Sequence, residues 1–88
     1  MYPKYTNFKT RNEEEFNFLM RYLEKLGHIW ESGDAPTYYI NVKEYWGIKE
    51  YHISAQGFLL CYFSRKEGPR IHVQDLIRAI KKPSIFKV

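Results

Sequence analysis

At 88 residues the chain has the length of one small domain, so residues 1–88 are expected to form a single unit with no room for a second core. Apolar residues at 44% and charged residues at 27% suit a packed globular chain, which argues against disorder. The formal charge of +4 is uneven: residues 1–63 hold seven Lys/Arg against eight Asp/Glu, whereas residues 64–88 hold seven against two.

The first element in chain order is a helix. Asn12 offers a side-chain acceptor for orphan amides, Glu13 and Glu14 suit the positive end of the helix dipole, and Glu15 completes a box-like cap. Phe16, Leu19, Met20, Leu23 and Leu26 then recur at helical spacing as one apolar stripe, and Gly27 stops it. The spacing predicts a helix over about Glu13 to Leu26.

Glu31 to Thr37 is rich in turn formers, and three runs dense in β-branched and aromatic residues follow it. Read as an antiparallel meander with two-residue loops at Trp46-Gly47 and Gln56-Gly57, they give a testable register. Tyr38 faces Ala55, Ile40 faces Ile53 and Val42 faces Tyr51, while Ile53 faces Leu60 and Tyr51 faces Tyr62, all on one apolar side that would receive the helix. The other side carries Tyr39, Lys43 and Tyr45 on the first strand, Glu50 and His52 on the second, and Leu59, Cys61 and Phe63 on the third. Lys43 opposite Glu50 is a favourable cross-strand pair.

A charged loop, Ser64 to Arg70, leads to a second helix through Val73, Leu76, Ile77 and Ile80, closed by Lys81, Lys82 and Pro83. Arg70 to Val73 could equally extend a strand. The N-terminus, His28 to Trp30 and Ile85 to Val88 are each candidates for one extra short strand. The fold class is therefore α+β: a helix, a three-stranded antiparallel meander and a helix, to which a terminus could add one short strand. That order is also the order of double-stranded-RNA-binding domains, but the lysine-rich start of their last helix is missing, with only Arg70 near Gly68-Pro69, so the similarity is topological and implies no family.

Phe58 to Phe63 is apolar on both sides, unlike an ordinary half-exposed strand. Either another element covers its outer side, or Tyr39, Tyr45, Leu59 and Phe63 form an aromatic patch for a protein partner or a second copy of the chain. Eight Tyr, six Phe and two Trp supply such anchors. The basic set Arg65, Lys66, Arg70, Arg78, Lys81 and Lys82 offers the alternative, a module neutralising nucleic-acid phosphates, with Tyr39, His52 and Phe63 as stacking platforms.

No catalytic signature appears. His28, His52, Cys61 and His72 lack the close pair spacings of metal sites, so neither a metal nor a cofactor is expected. His52 and Cys61 would be cross-strand neighbours, without a third orienting residue or an oxyanion hole. Glu13 to Glu15 diverge around a helix, and the five glycines stand alone rather than in a phosphate loop. A lone Cys61 forms no internal disulfide, no apolar leader precedes Lys4, Lys9 and Arg11, and the six-residue run Phe58 to Phe63 falls far short of the roughly 20 needed to span a bilayer. The resulting expectation is a cytoplasmic, non-catalytic binding protein of inhibitor or adaptor type with no membrane role.

Overall fold

A computed structural model of the protein describes residues 2–47, 49–60 and 68–81, excepting the side chains of Lys49, Leu60 and Lys81. Two helices pack with a four-stranded mixed sheet. The elements are β1 (Asn7–Thr10), α1 (Glu13–Lys25), β2 (Lys49–Ile53), β3 (Leu59–Leu60), β4 (Arg70–His72) and α2 (Val73–Lys81). From α1 onward the order is helix, three strands, helix, and the extra strand comes from the N-terminus.

α1 begins where its cap allows. Asn12 is extended at φ −157°, and its side-chain oxygen accepts from the Glu15 amide at 2.9 Å. Glu15 reaches back, its Oε1 accepting from the Arg11 amide at 2.9 Å and its Oε2 from Arg11 Nε at 2.8 Å. These bonds hold a carboxylate that is only 4% exposed. At the other end, Gly27 donates to the Glu24 carbonyl and His28 to the Leu23 carbonyl, the paired bonds of a Schellman closure. Between the caps Phe16, Leu19, Met20 and Leu23 are fully buried against Phe8, Tyr51, Ile53, Leu59 and Val73. Each large apolar side chain taken from water stabilises by roughly 1.5–3 kcal/mol.

The strand order is β3-β2-β1-β4. β1 runs antiparallel to β2, with Phe8 opposite Tyr51, and parallel to β4, with Phe8 opposite Ile71. A meander does not account for this, because β1 occupies the edge of β2 expected for Tyr38 to Tyr45.

That displaced segment instead makes two short 3-10 helices, Pro36–Tyr39 and Lys43–Tyr45. Pro36 has no amide to give a ladder, and the backbone closes on itself through bonds such as Val42 to Tyr39 (3.0 Å) and Trp46 to Lys43 (3.0 Å). The expected pairs Tyr38/Ala55, Ile40/Ile53, Val42/Tyr51 and Lys43/Glu50 are therefore not formed. Glu50 lies opposite Lys9 and makes its ion pair with Arg70 at 3.4 Å. Strand propensity yields here to packing, since the 3-10 turns lay Tyr39 and Tyr45 on the core.

The β2–β3 loop is one residue longer than the sequence pattern suggests. Ser54 donates to the Phe58 carbonyl and Gly57, at φ +89°, donates to the Ser54 carbonyl, which makes a three-residue loop over Ala55 to Gly57. The longer loop moves Ile53 opposite Leu59 rather than Leu60. One residue of slip exchanges the two faces of a strand, and Leu59 is accordingly fully buried. Leu59 is also tied to the neighbouring segment, its amide donating to the Ile29 carbonyl at 2.8 Å, and it bridges Trp30 in parallel. His28 to Trp30 thus contributes a single bridge rather than a strand. The expected strand at Ile85 to Val88 lies outside the described residues.

Candidate docking surface

The two 3-10 helices form an aromatic ledge between α1 and the turn after it. Tyr39 sits edge-on to Trp30 at 5.5 Å, and Tyr45 stacks on Phe16 at 5.6 Å with their planes 6° apart. The rings of Tyr39 and Tyr45 are 5.7 Å from each other. Beneath them Trp30 meets Tyr51 at 6.1 Å, so the ledge rests on the core. Polar bonds fix it from the sides. The Tyr39 hydroxyl donates to Asp34 at 2.9 Å, Thr37 Oγ1 donates to Glu24 of α1 at 2.6 Å, Trp46 Nε1 donates to the Ile40 carbonyl at 3.1 Å, and the Tyr51 hydroxyl donates to the Tyr45 carbonyl at 3.1 Å.

On this backing stands Tyr38. Its ring lies edge-on to Tyr39 at 4.9 Å and is 70% exposed, the most exposed of the large hydrophobic side chains described. The two-residue alternation of a strand would place Tyr38 inward. The signal against that placement was Pro36, favoured at the first position of a helical turn, which changes the alternation that follows.

Of the residues assigned to a docking patch, Tyr39 and Tyr45 are brought together, each half-buried. Leu59 belongs to the core and has no area to offer a partner, because of the register described above. Phe63 lies outside the described residues.

Of the basic set, Arg70 and Arg78 have described side chains. Arg70 faces Glu50 across β1, and Arg78 is within 3.5 Å of Asp75 on α2. Arg70 and Arg78 therefore each have a carboxylate beside them already, which lowers the local positive potential a phosphate would meet. Lys81 ends α2, while Arg65, Lys66 and Lys82 lie outside the described residues.

The histidines are dispersed. His28 is buried and accepts from the Tyr2 amide through Nε2 at 3.1 Å, and burial lowers its pKa below the usual imidazole value, partly offset by the Gly57 backbone. His52 is buried on β2 opposite Asn7, and His72 is exposed on β4. Cys61, its expected neighbour, lies outside the described residues. Among the described residues no three His, Cys, Asp or Glu side chains gather as a metal site would require, and no helix is long and apolar enough to cross a membrane.

Comparison with known proteins gives no match: no family model, curated relative or solved structure is similar to the chain.

Proposed function

We propose that the protein is a non-catalytic binding domain, of inhibitor or adaptor type, that docks on a protein partner through the ledge of Tyr38, Tyr39 and Tyr45. The observation that carries this reading is Tyr38, an exposed ring held against buttressed aromatic neighbours. Tyrosine brings large amphipathic contact area with only two side-chain torsions to immobilise, and aromatic anchors dominate binding energy at protein interfaces. Because Tyr39 and Tyr45 are already fixed by Trp30 and Phe16, little ordering remains when a partner covers them.

The test begins with a photo-crosslinking residue in place of Tyr38, and a control at exposed Gln56 in the β2–β3 loop, in cells that make the protein. The ledge predicts a discrete adduct at position 38 alone. With the adduct purified as partner, Tyr38→Ala should weaken binding about 30-fold, the effect of a typical hot-spot residue, with an unchanged circular dichroism spectrum. Equal affinity of wild type and Tyr38→Ala would remove the ledge from the interface.

A further inference from the structure

A groove of about 540 Å³ runs along the outer face of α1, closed on one side by Ile80 of α2. It shares no residue with the aromatic ledge. Its apolar part is formed by Phe18 and Tyr22, stacked at 6.1 Å, together with Ile80, which is 46% exposed. Its charge is polarised along the helix. Glu13 and Glu14 line the N-terminal end, and Arg21 and Lys25 line the C-terminal end. All four are exposed, and among the described residues none of them joins an ion pair.

Arg21 and Lys25 are like charges four apart on one helix, an arrangement that costs an isolated helix a few tenths of a kcal/mol rather than helping it. The helix dipole accounts for acids at the start and for Lys25 at the end, but not for an apolar strip between them that runs into a groove. A stripe of acid, aromatic and base, read in the opposite direction, is base, aromatic and acid. Such a face is complementary to itself when turned end for end, which is the requirement of an isologous two-fold contact.

We propose that a second copy of the chain docks in this groove, α1 antiparallel to α1 across a two-fold axis. When the axis crosses α1 between Leu19 and Met20, Glu14 of each copy falls opposite Lys25 of the other, Phe18 opposite Arg21, and Asn17 opposite Tyr22. Arg21 then lies over an aromatic face, a favourable cation–π placement. Asn17 lines the groove opposite that Tyr22, while its side-chain oxygen is buried within the protomer and is not part of the contact. Rim ion pairs contribute little each, so they set the antiparallel direction while Phe18, Tyr22 and Ile80 supply the buried area.

Sedimentation equilibrium on the full chain tests this, with two charge-reversed forms: Glu13→Lys with Glu14→Lys, and Arg21→Glu with Lys25→Glu. Wild type should show a monomer–dimer equilibrium. Each reversed chain alone should have its dimer dissociation constant raised about tenfold or more, since symmetry counts every change twice, and an equimolar mixture of the two should recover the dimer. Wild type that stays monomeric up to about 1 mM, a dimer indifferent to either reversal, or a mixture that fails to recover would overturn the proposal. Where the lysine form melts by circular dichroism because it loses favourable dipole contacts, Ile80→Glu replaces it. Loss of the dimer with an intact fold then supports the groove, and an unchanged dimer refutes it.

Discussion

Gly68 lies against the backbone of Tyr5 so closely that a β-carbon on it would stand 1.6 Å from the Tyr5 carbonyl oxygen and 2.3 Å from its carbon. Both residues precede, by two positions, the strands that pair in parallel, β1 and β4, and the Asn7 amide donates to the Pro69 carbonyl at 2.8 Å just beyond the contact. The close approach is thus where the parallel pair begins. Gly68→Ala should force the backbones apart and cost about 3 kcal/mol or more, the range of substitutions that must shift packed structure. Urea titration would show it as a lowered midpoint, and an unchanged midpoint would mean that the two segments do not meet.

The N-terminal cap of α1 makes a second prediction. Asn12→Ala removes the bond to the Glu15 amide and should cost about 1 kcal/mol. Glu15→Ala leaves the Arg11 amide without its acceptor and should cost about 1–3 kcal/mol. Because the two side chains serve one network, the double substitution should cost less than the total of the singles, and a double-mutant cycle in urea measures that coupling. Strict additivity would show that the cap does not act as a unit.

His28 makes stability depend on pH. Its folded pKa is lowered by burial, and its Nε2 accepts from the Tyr2 amide, which requires the neutral ring. Between the lowered folded pKa and the ordinary value near 6.5, the unfolded chain binds the proton more readily than the folded one. The contribution of His28 is therefore fully present above about pH 6.5 and is lost as pH falls toward the folded pKa. Titration of the His28 ring resonances by NMR should give a midpoint below 6.5, and the urea midpoint should fall between pH 7.5 and pH 5.5 by less in His28→Asn than in wild type. A His28 midpoint at or above 6.5 would refute the assignment.

The α1 boundaries were legible because they rest on local chemistry: Asn12, Glu15 and the stripe through Leu23 state a capped amphipathic helix without reference to the rest of the chain. The apolar spacing of α2 was legible in the same way, but its start was not, because no strong cap precedes it and Arg70 to His72 extend as a strand up to Val73. The sheet was legible only in part. Tyr38 to Tyr45 has the composition of a strand, and what denies it a place is distant, namely β1 on the edge of β2. No residue within 38–45 reports on Asn7 to Thr10, so only Pro36 hinted at the outcome. Gly57 marks the hairpin in the sequence, but the loop is one residue longer than a two-residue turn, and that single residue decides which leucine is core. Tyr39 and Tyr45 come together only because the expected strand does not form: six residues apart on a strand they would stand about 20 Å apart, whereas the 3-10 turns bring their rings to 5.7 Å.

Leu59 and Tyr38 exchange roles between the two registers, and their substitution separates them. In an antiparallel meander with two-residue loops, Tyr38 packs on the core and Leu59 faces outward. In the structure Leu59 is fully buried beside Ile53 and Trp30, while Tyr38 is 70% exposed. Leu59→Ala should therefore cost about 2–5 kcal/mol through lost transfer energy and the cavity left behind. Tyr38→Ala, which removes an exposed ring, should stay within about 0.5 kcal/mol. Thermal unfolding of the two variants beside wild type measures both at once. A stable Leu59→Ala with an unstable Tyr38→Ala would restore the shorter loop and return Tyr38 to the core, and with it the ledge would lose its exposed anchor.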